Sequence, residues 1–317
     1  MASIGIFLSS EEHPAQRLVD IAVKAEQAGF RDLWISDHFH PWLDTQGESP
    51  FVWSVIGAIA AATREVHVTT AVTCPTVRVH PAIVAQAAAT SATLLDGRFA
   101  LGVGSGEALN EHILGDPWPG IEQRLSMLEE SVAVMRLLWE GGVQSFDGEH
   151  YIVDRARLYS LPDEPPPVLV SAFGPEAVRV AGRIGEGYIN VAPDAELLAG
   201  YRDAGGTGPA QAGTKICWGD DEAQCVKTVH RLWPNEALGG ELSQVLPMPA
   251  HYAAACEPVT EEMVAEAVPC GPDPDKHAAA IQEFVDAGYD AVYINQIGPQ
   301  QDAFFEFYAR DVLPRLR

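Results

Sequence analysis

Short apolar runs alternate with longer stretches of helical periodicity along almost the whole chain. Residues 4–8 form an apolar run, and 14–28 then place Leu18, Val19, Ala22, Val23 and Ala25 at helical spacing before stopping at Gly29. The same pattern predicts strands at 33–36, 66–72 and 99–103, each followed by a helix, at 50–62, 81–95 and 121–139. It resumes later with strands at 168–172, 187–191, 214–218 and 291–295, and helices at 175–184, 195–204, 221–233, 273–287 and 301–313. Two stretches break the rhythm. Residues 142–153 read as a β-hairpin turning at Asp147–Gly148, with the stiff proline-rich segment 161–167 behind it. Residues 234–268 read as an insertion, a Pro- and Gly-rich loop over 234–258 with a short helical piece near 260–267. Eight strand-plus-helix units in a row predict a parallel sheet closed into a (β/α)8 TIM barrel, one domain over 1–317 carrying these two insertions. A doubly wound open sheet is the alternative. In a barrel the chemistry gathers at the C-terminal ends of the strands.

Composition narrows what those ends serve. The chain is 317 residues long, 47% hydrophobic and 20% charged, enough to bury a large core. Its 20 Lys and Arg face 44 Asp and Glu, a formal charge of −24, which argues against nucleic acid or an anionic membrane surface as partner. The five cysteines (Cys74, Cys217, Cys225, Cys256, Cys270) are odd in number and form no C-x-x-C pair. They read as reduced thiols of a cytoplasmic protein, not as a disulfide frame or zinc site. The N-terminus has no basic start and long apolar segment, and no run approaches the ~18 apolar residues of a membrane span.

Two strand ends are rich in chemistry. FALGVGSGEALNEHILG (99–115) runs from an apolar strand into Gly102, Gly104 and Gly106. Alternating glycines allow positive φ and close approach to a ligand, and leave N–H groups suited to an anion. Glu107 follows, and Asn110 offers both a donor and an acceptor. The plain alternative is a tight turn with a solvated Glu. The second end, SDHFHPW (36–42), sets Asp37, His38 and His40 within four residues, with Trp42 beyond. A histidine beside a carboxylate suits proton transfer near neutral pH. Two readings compete with this: a metal site completed by Glu107, or one exposed histidine and one that merely caps Asp37. Trp42 and Trp118 sit in Pro-containing loops, where an aromatic walls a planar ligand or joins the core. Lys215 lies in an apolar strand and needs either Glu11 as partner or a path to solvent. The chain has no G-x-S-x-G, and no Ser or Cys with a clear His/Asp neighbour, so a hydrolase triad has no support.

WISDHFHPW (34–42), TCPTVRVHPAIVAQAAAT (73–90), GVGSGEALNEHILG (102–115) and VSAFGPEAVRVAGRIGEGY (170–188) resemble the bacterial luciferase-like superfamily. They are closer still to its branch related to coenzyme F420-dependent glucose-6-phosphate dehydrogenase. The resemblance implies a homodimeric (β/α)8 barrel that holds a deazaflavin in its mouth and moves a hydride to or from C5 of that ring. It implies His38 as catalytic base for a substrate hydroxyl, Trp42 stabilising charge beside it, Glu107 as proton partner of the deazaflavin N1, and Glu11 as a carboxylate at the mouth. Asp37, Ser105, Gly106, Asn110, Ala172, Phe173 and Gly174 match cofactor contacts. Ala71–Val72 matches a non-prolyl cis peptide forming a bulge behind the ring, with Cys74 close after it. The chain also departs from that branch. Val191 and Asp194 stand where the glucose-6-phosphate enzymes clamp the sugar phosphate with Thr and Lys, and 234–268 contains no Lys or Arg. Phe173 replaces a glycine and narrows the pocket or the cofactor wall. These readings together predict an F420-dependent oxidoreductase acting on a small uncharged or cationic molecule, and not a glucose-6-phosphate dehydrogenase. An FMN-dependent monooxygenase and a non-catalytic F420-binding protein are the alternatives.

Overall fold

The computed structural model describes residues 2–316. Eight parallel strands close into a barrel: β1 (Ser3–Leu8), β2 (Asp32–Ile35), β3 (His67–Thr70), β4 (Phe99–Val103), β7 (Val168–Ser171), β8 (Gly187–Asn190), β9 (Ala210–Ile216) and β10 (Ala291–Gln296). The remaining two strands, β5 (Gln144–Asp147) and β6 (Ile152–Ala156), pair only with each other. Around the ring the order is β1-β10-β9-β8-β7-β4-β3-β2, so β1 and β2 are neighbours and stand across the mouth from β7 and β8. The register is continuous at the seam, with Ile6 opposite Ile294 on one side and Leu33 on the other.

The helices are α1 (Ala15–Gln27), α2 (Val52–Ala62), α3 (Pro81–Leu94), α4 (Ala108–Glu111), α5 (Ile121–Trp139), α6 (Pro175–Ile184), α7 (Ala195–Asp203), α8 (Glu222–Leu232), α9 (Leu242–Val245), α10 (Pro249–Ala255), α11 (Glu261–Ala267), α12 (Pro274–Asp286) and α13 (Gln301–Phe307). The long ones lay an apolar stripe on the barrel, as α1 does with Leu18, Ile21, Ala22 and Ala25. None of the described helices is long and apolar enough to cross a membrane. Inside the barrel, Trp34 stacks on Tyr293 at 4.3 Å, and Leu169 and Ile189 pack around them. This plug leaves Phe7, Ala71 and Val72 as its partly buried upper surface.

Three sequence expectations need correction. The strand expected at 214–218 is β9, Ala210–Ile216; its first four residues, Ala-Gln-Ala-Gly, carry no large apolar side chain and so give no strand signal. A side chain at Gly213 would come within 2.6 Å of the Trp34 ring, so apolar bulk, the signal of a strand, is excluded there. The helix expected at 221–233 as a barrel helix is α8, and it does not cover the sheet. The chain leaves β9 at Cys217 and returns at 269–271, where Cys217 N–H donates to the Pro269 carbonyl at 2.9 Å and Gly271 N–H donates to the Cys217 carbonyl at 3.0 Å. Everything between is a cap on the C-terminal rim, with its own core of Val229, Leu232, Trp233, Val259, Val264 and Val268. The insertion is therefore longer than 234–268, and α12 is the barrel helix of this unit. In the β5–β6 hairpin, β6 runs to Ala156 and the turn spans 148–151, not a two-residue Asp147–Gly148 turn. Glu130 on α5 sets that geometry, its carboxylate accepting from the N–H groups of Glu149, His150 and Tyr151. All five cysteines are free and buried.

Candidate active site

Three residues expected at the mouth converge. His38, just past β2, has Nε2 3.4 Å from Glu11 Oε1 and 3.8 Å from Glu107 Oε2. Glu11 follows β1 and is buried, its other oxygen accepting from Ser9 Oγ at 2.9 Å and Ser36 Oγ at 2.6 Å. Burial works to raise the Glu11 pKa, but the His38 charge and the serine hydrogen bonds outweigh it and hold the carboxyl below its ordinary range. Glu107 heads α4 with its side chain 29% exposed, and burial pushes its carboxyl up. Two acids with opposite shifts flank one imidazole, the arrangement that separates a fixed charge from a proton donor.

The other face of the imidazole is held as tightly. His38 Nδ1 lies 3.1 Å from the His40 carbonyl and 3.1 Å from Asn110 Nδ2. The Asn110 amide has one orientation, because Oδ1 accepts from Phe39 N–H and His40 N–H, while Nδ2 also donates to Glu107. Nδ1 therefore has an acceptor when it carries a proton and a donor when it does not. The ring gains or loses a proton without turning. Trp42 walls one side, its ring centroid 5.0 Å from that of His38, and Tyr252 of the cap meets Trp42 edge-on at 5.2 Å.

The residues expected to touch a cofactor divide into two sets. Ala71, Val72, Ser105, Gly106, Glu107 and Gly174 are partly exposed, Phe173 is 52% exposed, and the Ala71–Val72 peptide is cis. Four others have their side chains or main-chain groups engaged inside the protein. Asp37 is 2% exposed at its side chain and binds Arg78 Nη2 (3.0 Å) and Thr73 Oγ1 (2.8 Å), one on each oxygen. Asn110 ties the β2 loop to the β4 loop as described above, and is 4% exposed. The Cys74 thiol lies 2.9 Å from Thr76 Oγ1, and burial pushes its pKa well up, so it stays protonated. Ala172 is buried and its carbonyl accepts from Tyr188 Oη at 2.9 Å. These four shape the site from behind; their side chains do not line it.

The glycine loop also differs from expectation. Only Gly106 has positive φ, at 86°. Gly102 N–H donates to Thr70 Oγ1 and Gly104 N–H to the Thr73 carbonyl, so neither is left for an anion. Both glycines are needed for contact, since a Cβ at Gly102 would lie 1.9 Å from the Thr70 carbonyl oxygen, and one at Gly104 2.8 Å from Val72 Cγ2. Lys215 does not reach Glu11. It pairs with Glu236 of the cap at 3.0 Å and lies 4.7 Å over the Trp233 ring, while Trp233 Nε1 donates to Glu12. His40 Nδ1 lies 2.9 Å from the Leu109 carbonyl. No group of three or more His, Cys, Asp or Glu among the described residues is arranged around a metal position.

Sequence reasoning missed Arg78, which is 7% exposed at its side chain and bridges Asp37 and Glu111. Its available signal was a lone Arg in an apolar segment, VRVH, that carries no other charge. A cleft of about 440 Å3 between Arg136, Pro165–Pro167 and Glu186 opens at the opposite rim, at the start of β7, and has no convergent chemistry.

Residues 2–291 match the family described as luciferase-like monooxygenase. The F420-dependent hydroxymycolic acid dehydrogenase of Mycobacterium tuberculosis is 39% identical to the chain over 99% of its length and 88% of the relative's. The F420-dependent glucose-6-phosphate dehydrogenase of Nakamurella multipartita is 34% identical, over 99% and 96%. Among solved structures, an F420-dependent secondary alcohol dehydrogenase in complex with an F420-acetone adduct superposes with a TM-score of 0.90 at 29% identity, covering 100% of this chain and 99% of that one. The chain belongs to the luciferase-like monooxygenase family.

Proposed function

We propose that this protein is a coenzyme F420-dependent oxidoreductase that exchanges a hydride between the deazaflavin and a small uncharged or cationic hydroxyl-bearing substrate. The observation that carries the reading is His38 set between Glu11, whose carboxyl is held below its ordinary range, and Glu107, whose carboxyl burial pushes up, at one end of the barrel. The mouth fits a flat ring. Its floor is apolar (Phe7, Ala71, Val72), and its exposed polar groups, Ser105 and Glu107, lie along one edge. When bound, the coenzyme supplies the hydride acceptor. His38 takes the hydroxyl proton at Nε2, and the imidazolium so formed faces Glu11 and, through Nδ1–H, the His40 carbonyl. Glu107, beside the same imidazole and with its carboxyl pushed up by burial, would give a proton to the ring that takes the hydride and recover it in the reverse direction. Trp42 excludes water from the imidazole. Two relatives named as dehydrogenases of a secondary alcohol and of a hydroxymycolic acid support a hydroxyl as the reacting group.

Glucose 6-phosphate is disfavoured as substrate. Val191 is exposed at the end of β8, and the Asp194 carboxylate caps α7 by accepting from Glu196 and Leu197 N–H. The nearby cation, Lys215, is neutralised by Glu236. A phosphate placed here meets no free counter-charge. We place the enzyme in the cytoplasm as a homodimer, which sedimentation of the purified protein tests. The functional test is absorbance loss of F420 on mixing with a series of secondary alcohols. The reading expects turnover by the native protein and a fall of about 10²–10⁴-fold in His38→Ala. Undiminished turnover in the variant removes the proton-transfer role, and FMN-dependent oxygen consumption in place of F420 reduction replaces the reading.

A further inference from the structure

Behind the glycine loop lies a buried cation that the site as described does not use. Arg124, in the first turn of α5, is 4% exposed. Its Nη1 donates to the Gly106 carbonyl at 3.0 Å, and its Nη2 donates to Gln244 Oε1 at 3.1 Å. Its guanidinium carbon lies over the Trp118 ring, 4.6 Å from the centroid, and its Nε has no partner. Both hydrogen-bond partners are neutral. A buried cation without a bound carboxylate is costly, so its charge acts on something within reach. Burial lowers its pKa, and the ionisable groups acting against that are Cys74 first, then Glu107 and Glu241.

The two bonds run in different directions through the fold. The Gly106 carbonyl belongs to the peptide that joins Gly106 to Glu107. That peptide has little freedom: Gly106 sits at φ 86°, and a Cβ there would lie within 3.1 Å of Cys74, Glu111 and Trp118. Gln244 belongs to α9, a segment of the cap that packs on α4, the short helix that Glu107 heads. One guanidinium therefore touches the backbone of the acid on one side and the cap on the other.

We propose that Arg124 is a positioning residue for Glu107 and makes the setting of that carboxylate depend on the cap being seated through Gln244. The proposal rests on Glu107 as the proton partner described above. With the cap in place, the guanidinium is fixed by both bonds, holds the Gly106–Glu107 peptide, and lies where it favours the carboxylate left when Glu107 releases its proton. With the Gln244 bond gone, the guanidinium is held on one side only, and the acid loses both orientation and compensation.

The test follows the Glu107 carboxyl in cofactor-free protein, by carbon-13 NMR of labelled Glu side chains, with Glu107→Gln identifying the signal. Arg124→Met is expected to move the Glu107 titration upward. Gln244→Ala, which lies outside the catalytic groups, is expected to move it in the same direction by less. Arg124→Lys keeps the charge but not both bonds and falls between the native protein and Arg124→Met; it also serves if Arg124→Met does not fold. An unmoved titration in the folded Arg124 variants overturns the positioning role, and an unmoved titration in Gln244→Ala overturns the link to the cap. Because the readout needs no coenzyme, failure to bind F420 counts against the proposed function and leaves this titration to decide on Arg124.

Discussion

Removal of Arg78 tests the ion-pair network beneath the site. At 3.0 Å, with an effective dielectric of about 20, its attraction to Asp37 amounts to about 5.5 kcal/mol. The 3.4 Å contact with Glu111 adds about 5 kcal/mol by the same measure. Desolvation of three buried charged groups offsets much of this, and deleting one partner of a buried pair costs about 3–5 kcal/mol net. Arg78→Met strands two carboxylates, which points to the upper part of that range, although Glu111 keeps the residue-78 backbone N–H at 2.7 Å. The loss depends on pH. Burial already holds the Glu111 carboxyl above its ordinary range despite Arg78. An acid whose folded-state pKa lies above its unfolded one binds protons on folding, so its contribution to stability falls as pH rises through that pKa. Without the guanidinium this effect grows. The difference between native protein and variant is therefore larger at pH 8 than at pH 5. Urea unfolding followed by tryptophan fluorescence at both values measures it. A loss below about 1 kcal/mol, or one equal at the two pH values, refutes the reasoning.

Other substitutions separate chemistry from scaffold. Glu11→Gln keeps an oxygen for Ser9 and Ser36 but turns an amide N–H toward His38 Nε2; turnover is expected to fall about 10²-fold with coenzyme affinity unchanged, as steady-state rates and fluorescence titration report. Gly106→Ala and Gly115→Ala share positive φ (86° and 88°), but only the first would bring a Cβ within 2.5 Å of Cys74 Sγ, the second meeting nothing within 4 Å. The Gly115 variant is expected to lose about 1 kcal/mol and keep coenzyme binding, while the Gly106 variant loses more and binds poorly. Asp194→Ala removes the cap of α7 and is expected to cost about 1 kcal/mol in denaturation with KM unchanged; a changed KM would show that its carboxylate faces the substrate.

The ring of eight strands was legible because most strands contain a short apolar run and the long helices a stripe, and both survive without tertiary information. What escaped is what tertiary contact alone decides. The first half of β9, residues 210–213, lacks large apolar residues; Gly213 is a glycine where Trp34 fills the barrel, Gln211 accepts from the Trp34 indole N–H, and no local pattern carries that fact. Helix α8 has the periodicity of a barrel helix, since packing on a cap demands the same stripe as packing on a sheet. In the site, His38, Glu107 and Glu11 were legible as strand-end chemistry and do meet. The partners of Asp37, Asn110 and Lys215 were not, because a polar side chain near a mouth is equally consistent with facing a ligand or bracing a loop. Here Arg78, the β2 loop and Glu236 claim them.

The central claim is that this mouth is built for a deazaflavin with His38 and Glu107 beside it. Its most direct test is a fluorescence titration of cofactor-free protein with F420 and, separately, with FMN. The account predicts saturable F420 binding at least about tenfold tighter than FMN, a difference of about 1.4 kcal/mol. Equal or tighter binding of FMN, or no F420 binding by the folded protein, contradicts it.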